Sequence, residues 1–286
     1  MGSLKMANIM VVFDFDKTIV DCDTDNWILG ELGYEDLFYE LLPNMPWNSA
    51  MDKILKDMHE KGVTINDMVE VLKRTPMHPR IIPAIKWAFD AGCDLRILSD
   101  ANRFFIETIM DHHGISDYFT EVYTNQGFVN EQGRLRIIPY HDFTTSPHGC
   151  DNILCPPNMC KGQVMEKLLS LEKNKTFIYL GDGNGDHCPS LKLRHEDYCM
   201  PRKNFPLWDV ILNNPNLMNS KIHEWTDGEN LEIVLQSLIN MIIKIEEKDE
   251  KDDGALQSLP RVDCKFETLP LPSHEGLSQA LIIVPN

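Results

Sequence analysis

Short apolar runs that stop at polar residues alternate along this chain with longer stretches of helical spacing. The run 9–13, Ile-Met-Val-Val-Phe, shows no alternation and reads as a strand buried on both faces of a parallel sheet. From about 26 to 75 the apolar positions fall at helical intervals instead. Leu32, Leu37, Leu41 and Leu42 form one set, Met51, Ile54, Leu55 and Met58 a second, and Ile65, Met68, Val69 and Leu72 a third. Pro43, Pro46 and Gly62 punctuate them, and no strand is predicted in this region. A helix over 81–91, a strand over 94–98 with the polar tip Ser99-Asp100-Ala101-Asn102, and a helix over 104–113 restore an α/β rhythm.

The remainder keeps that rhythm. A strand is expected at 122–125, then a hairpin within 128–140 interrupted by Glu131-Gln132-Gly133. A loop rich in Cys and Pro, 146–160, leads to a helix beginning near Lys161. A buried strand at 176–180, an edge strand at 197–200, a helix at 205–212 and a long amphipathic helix at 229–247 complete the body. The pattern predicts a Rossmann-like parallel sheet, with a core formed by 1–25 and 80–247. The helices of 26–79 are expected to be a small cap inserted after the first strand, the alternative being that they belong to the main core. Charge runs and prolines predict a disordered tail over 248–286.

Composition narrows the classes. A chain of 286 residues with net charge −17 lacks the clustered cations that nucleic acid requires. No apolar stretch is long enough to span a membrane, and 9–13 is too short for a secretory segment. Without such a segment, the 8 cysteines read as reduced thiols. A soluble cytoplasmic protein is expected, with neither nucleic acid nor membrane as partner.

Candidate chemistry sits at the tips of the strands. Asp14 and Asp16 follow the first strand with no Lys or Arg between them, so they repel unless a cation or a shared proton compensates. Asp14-x-Asp16-x-Thr18, Ser99, Lys161 and Gly181-Asp182-Gly183-Asn184-Gly185-Asp186 each close a strand or open a helix, and a parallel sheet brings such positions to one crevice. Taken singly they are bland: a turn, a helix cap, a solvated lysine. Together and in this order they suit phosphoryl transfer. Asp14 would be the nucleophile that forms an aspartyl-phosphate, and Asp16 the general acid and base. Ser99, Thr18 and Lys161 would hold phosphoryl oxygens. Mg²⁺ would take Asp14, Asp16 through its carbonyl, Asp182 and, through water, Asp186. Neither acidic loop has the twelve-residue pattern of a Ca²⁺ loop.

These motifs resemble those of the haloacid dehalogenase (HAD) superfamily of aspartyl-phosphate phosphatases. Within it, 12–21, Leu98-Ser99-Asp100-Ala101-Asn102, Cys155-Pro156-Pro157-Asn158-Met159-Cys160-Lys161-Gly162 and the 181–186 loop resemble the phosphoethanolamine/phosphocholine phosphatase family. Leu42-Pro43-Asn44-Met45-Pro46-Trp47-Asn48 and 200–206 extend the likeness to its plant branch, whose members are also described as inorganic pyrophosphatases. The resemblance implies a Mg²⁺-dependent phosphatase of a small phosphorylated metabolite or of pyrophosphate, with Asp25 and Asp100 near the leaving group, where carboxylates suit an ammonium head. The alternatives are a vitamin phosphate (thiamine monophosphate or pyridoxal phosphate), a phosphotransferase or phosphomutase with the same nucleophile, or a ligand-binding protein without turnover. The family's Cys-x-x-Cys is stretched here to Cys150-x₄-Cys155, so Cys150, Cys155 and Cys160 are expected to be free thiols.

Overall fold

A computed structural model describes residues 7–257 of the chain. Strand β1 (Ile9–Phe13), buried at every position, lies at the centre of the sheet. Four helices follow it: α1 (Thr24–Leu32), α2 (Glu35–Leu41), α3 (Trp47–Glu60) and α4 (Ile65–Leu72). The chain returns through α5 (Ile81–Asp90) to β2 (Asp94–Asn102), α6 (Arg103–His113) and a hairpin of β3 (Phe119–Val129) and β4 (Leu135–Ile138). Next come α7 (Lys161–Leu171), β5 (Thr176–Gly181), the short α8 (His187–Ser190) and β6 (Tyr198–Pro201). Helix α9 (Pro206–Asn213), β7 (Lys221–Ile222) and α10 (Gly228–Gln257) close the described chain.

The strands run in the order β4-β3-β2-β1-β5-β6-β7, parallel except for the β3–β4 pair. β1 pairs with β2 on one side and β5 on the other, so the chain reverses its direction of travel across the sheet beside β1. Such a point opens a crevice beyond the carboxyl ends of the strands. Alternation along β1 divides the core. Ile9, Val11 and Phe13 pack into one cluster with α1 to α6 and α10, while Met10 and Val12 pack into another with α7 and α9.

Local chemistry sets the helix ends. Asp23 caps α1 by accepting from the Asn26 N–H at 3.0 Å, and Gly33 ends it in the left-handed region at φ 76°. Thr64 and Asp67 form a reciprocal capping box on α4. Helix α3 is tied to β4 through Asp52, which accepts from Arg134 at 2.7 Å and from Arg136 at 2.8 Å.

Several boundaries differ from those expected. Ser99-Asp100-Ala101-Asn102 is not a free tip but the end of β2, paired with β3 across a register shift. Its backbone is satisfied from the side: Thr124 Oγ1 donates to the Ala101 carbonyl at 3.0 Å, and Asn125 Nδ2 to the Asp100 carbonyl at 2.6 Å. β6 is not the edge strand, because the two-residue β7, too short to show a period, pairs beyond it. Residues up to Glu246 form one compact unit; from Glu247 the described chain continues as helix to Gln257, so 248–257 are helical where a disordered tail was expected. The rest of that expectation, 258–286, lies outside the described residues.

Candidate active site

The carboxyl ends of β1, β2 and β5 and the first turn of α7 meet in the crevice. Asp14 follows β1 directly, its N–H extending the ladder to the Leu180 carbonyl at 2.9 Å. Its Oδ1 accepts from the Phe15 N–H at 2.7 Å and from Lys161 Nζ at 2.8 Å. Lys161, the first residue of α7, also reaches Asp186 Oδ1 at 2.8 Å and Asp100 Oδ1 at 3.5 Å. Asp186 is saturated: Oδ1 also accepts from the Tyr179 hydroxyl at 2.6 Å, and Oδ2 from the N–H groups of Asp182 at 3.0 Å and Gly183 at 2.8 Å. Gly181 makes this turn possible, since a Cβ there would stand 2.5 Å from Asp186 Cγ.

Asp16 curls back from the turn. Its Oδ2 accepts from Thr24 Oγ1 at 3.2 Å, while Oδ1 is buried without a partner. Thr18 Oγ1 is likewise buried and unpartnered. Ser99, fully buried at the end of β2, accepts from the Ala101 N–H at 3.2 Å. The sequence-selected residues thus form two groups. Asp14, Lys161, Asp182 and Asp186 are drawn into one cluster, with Asp14, Asp182 and Asp186 offering oxygens within 4.8 Å of one another. Asp16, Asp25 and Asp100 line an adjoining cavity of 260 Å³, together with Asp23, Trp47 and Asn158. Asp25 Oδ2 accepts from Trp47 Nε1 at 2.6 Å, and its Oδ1 is buried and unpartnered.

Electrostatics follow from crowding. Burial and then the nearby Asp186 push the Asp14 carboxyl well above the usual range, against the pull of Lys161. Burial, Asp23 and Asp25 do the same to Asp16. Burial and Asp23 raise Asp25 to about 7, and burial and Asp186 raise Asp182 to about 7. Lys161 loses by burial but gains more from Asp14 and Asp186, so it stays charged.

Sequence reasoning missed three participants. Tyr179 lay inside an apolar run that gave no hint of its hydroxyl's partner. Asp23 caps α1, and it also crowds Asp16 and Asp25. Arg202 donates to the Lys17 carbonyl at 2.6 Å and so holds the turn after β1, where Lys17 sits at φ 55°. Its guanidinium lies over the rings of Phe205 at 4.4 Å and Trp225 at 5.0 Å.

The chain is similar to known proteins over most of its length. A family model described as "Putative Phosphatase" matches residues 9–239. Inorganic pyrophosphatase 2 of Arabidopsis thaliana is 56% identical over 266 residues, covering 92% of this chain and 93% of the relative. A thiamine phosphate phosphatase-like protein of the same plant is 46% identical over 246 residues, covering 85% of this chain and 100% of the relative. Among solved structures, a HAD family hydrolase from Salmonella enterica serovar Typhi superposes with TM-score 0.53 at 15% identity, covering 80% of this chain and 72% of the other, a likeness of fold. No helix among the described residues is long and apolar enough to cross a membrane.

Proposed function

The chain belongs to this phosphatase family of the HAD superfamily, and we propose that it is a Mg²⁺-dependent phosphatase of small phosphate monoesters whose leaving group carries an ammonium. The observation that carries the reading is the acidic cavity beside Asp14: Asp16, Asp23, Asp25 and Asp100 line it, and none of its lining residues is Lys or Arg. Such a wall favours a cationic substrate group by charge pairing, with the Trp47 ring beside it.

The residues fit the metal. Asp14, Asp182 and Asp186 are buried hard-oxygen donors gathered around one lysine, and the raised Asp14 and Asp182 carboxyls mark a negative charge that Lys161 alone does not offset. Asp14, Asp182 and the Asp16 carbonyl would hold the ion, and Asp186, with both oxygens already accepting, would position them. When bound, Mg²⁺ supplies the positive charge that lets these carboxylates ionise together beside a phosphate.

The chain's own residues then divide the work. A carboxylate oxygen of Asp14 attacks phosphorus and forms an O–P bond while the bond to the leaving oxygen breaks. Asp16, whose carboxyl is pushed well above the usual range by burial and its acidic neighbours, gives its proton to that oxygen. It next takes a proton from a water that attacks the aspartyl-phosphate, which frees phosphate and regenerates Asp14. Lys161, Ser99 and Thr18 steady the phosphoryl oxygens, and α1 to α4 act as a cap over the cavity.

A second reading, inorganic pyrophosphate as substrate, is favoured by the name of the 56% identical relative. Phosphate release in Mg²⁺ across amine-bearing esters, neutral esters, thiamine monophosphate, pyridoxal phosphate and pyrophosphate separates them, with Asp14→Asn as control. At least tenfold higher kcat/KM for the amine-bearing esters is expected. A preference for pyrophosphate would instead make the acidic wall a feature of structure or metal binding.

A further inference from the structure

Around the start of α7, beside Lys161, four thiols converge. Cys188 Sγ stands 3.6 Å from Cys150 Sγ and 3.8 Å from Cys160 Sγ. Cys155 Sγ lies within 4.8 Å of the sulfurs of Cys150 and Cys160. None of them is in a disulfide. Four thiolates around Zn²⁺ at about 2.3 Å occupy the corners of a tetrahedron whose edges are about 3.8 Å. The observed separations match those edges and are far wider than the roughly 2.0 Å of an S–S bond.

His148 is the other candidate ligand, since its ring can be grouped with Cys150, Cys155 and Cys160. Both its nitrogens are already engaged. Nδ1 accepts from the Cys150 N–H at 3.1 Å, and Nε2 lies 3.1 Å from the Pro156 carbonyl, to which it donates in that tautomer. His148 therefore braces the loop, and Cys188 supplies the fourth sulfur. The stretched spacing, Cys150-x₄-Cys155-x₄-Cys160, lies within the range used by zinc sites. Packing keeps the fourth sulfur in place: a Cβ on Gly162 would lie 2.3 Å from Cys188 Sγ, so only glycine lets the first turn of α7 meet it. Gly149, Cys150, Cys160 and Cys188 line an open surface depression that gives an ion access.

We propose that Cys150, Cys155, Cys160 and Cys188 bind one structural Zn²⁺, separate from the hard-oxygen site at Asp14. The placement explains its use. Residues 139–160 contain no helix or strand, a length of irregular chain that rarely holds its shape unaided. Pro156 and Asn158 of that stretch wall the substrate cavity. Cys160 precedes Lys161, and Cys188 follows the turn that ends in Asp186. One tetrahedral ion would therefore fix the cavity wall, the lysine and the acid that holds it.

The test is metal content of the full chain, expressed in zinc-supplemented medium, purified without chelator and dialysed against Mg²⁺. About one zinc per chain is expected, unchanged by Asp182→Asn or His148→Ala and reduced at least fivefold by Cys155→Ser or Cys188→Ser. Because those serine variants can fail to fold, wild-type protein is also loaded with Co²⁺, which should give the thiolate charge-transfer and ligand-field bands of tetrahedral sulfur coordination. Zinc-free wild-type protein that is fully active, with the four thiols titrating freely or oxidised to a disulfide, would overturn the site. Zinc lost in His148→Ala but kept in Cys188→Ser would overturn the assignment of the fourth ligand.

Discussion

Lys161 Nζ lies 2.8 Å from Asp14 Oδ1, and both side chains are closed to solvent, at 1% and 5% exposure. The same nitrogen is 2.8 Å from Asp186 Oδ1, so one buried cation serves two buried acids. Removing either end of this arrangement has opposite consequences for stability. Lys161→Met leaves Asp14 and Asp186 facing each other without compensation and should cost about 3–5 kcal/mol in chemical denaturation. Asp14→Asn removes a carboxylate that burial and Asp186 already disfavour, while Lys161 keeps Asp186. That variant should be at least as stable as wild type yet lose turnover on the order of 10⁴-fold or more. Wild-type turnover in Asp14→Asn would remove Asp14 from the role of nucleophile.

Asp16 predicts a dependence on the leaving group. Asp16 lines the cavity, its Oδ1 is buried without a partner, and burial with Asp23 beside it pushes the carboxyl well above the usual range. Asp16→Asn can no longer donate a proton. Hydrolysis of alkyl phosphates should fall about 10²–10⁴-fold. An aryl phosphate, whose phenolate departs without help, should lose far less in its first step. Equal losses on both, measured as single-turnover rates, would count against the proton-donor role.

Much of this was legible in the sequence because strand tips are local. Asp14 and Asp16 follow a run of five buried apolar residues, and the Gly181–Asp186 loop follows another, so their convergence needs only a parallel sheet. What the sequence did not show depends on side chains meeting from distant elements. The Tyr179 hydroxyl finds Asp186 only because the loop folds back over β5. Arg202 finds the Lys17 carbonyl across a separation of 185 residues. Ser99 to Asn102 looked like a polar tip because three of the four side chains are polar, yet Asn125 and Thr124 on β3 satisfy that stretch as strand. Cys188 drew no notice at all, since its partners lie 28 to 38 residues upstream.

Metal and pH should be linked in a stated direction. Asp182 is raised to about 7 by burial and Asp186, above the ordinary 3.8 it regains on unfolding. A carboxyl raised in the folded state stabilises fully below the unfolded value, and that contribution is lost as pH climbs through the folded value. Metal-free protein should therefore lose stability between about pH 4 and 7 as Asp182, with Asp14 and Asp16 moving the same way, is forced to ionise. Mg²⁺ favours the ionised acids, so its stabilising effect should grow over the same window. At 100 times its Kd the ion adds about 2.7 kcal/mol, a rise of roughly 5–10 °C in Tm, at pH 8. The rise should shrink at pH 5.5. A Tm shift independent of pH would place Mg²⁺ away from these carboxylates.

Asp25 should act on affinity rather than on chemistry. It touches neither Asp14 nor Lys161 but lines the cavity with one oxygen held by Trp47 Nε1 at 2.6 Å. Its value of about 7, set by burial and Asp23, means that it gains its charge across neutral pH. KM for an ammonium-bearing ester should therefore fall as pH rises through 7. Asp25→Asn should raise that KM about tenfold, abolish the pH trend and leave kcat within a few fold. An unchanged KM for amine-bearing and neutral esters alike would reduce Asp25 to a support for Trp47.

Gly181 and Tyr179 test how finely Asp186 must be placed. In Gly181→Ala the new methyl meets Asp186 Cγ at 2.5 Å, so either the end of β5 or the carboxylate must move. The Asp186 carboxylate is shared by Lys161, Tyr179, Asp182 and Gly183, and a displacement of about 1 Å would reach both Asp14, through the lysine, and Asp182. Misplacement on that scale costs on the order of 10²-fold in rate. Tyr179→Phe removes one hydrogen bond but adds no atom, and Lys161 still occupies the same oxygen. It should cost about 1 kcal/mol of stability and less than tenfold in kcat. If Tyr179→Phe proved the more damaging to turnover, the hydroxyl rather than the turn geometry would be what fixes Asp186.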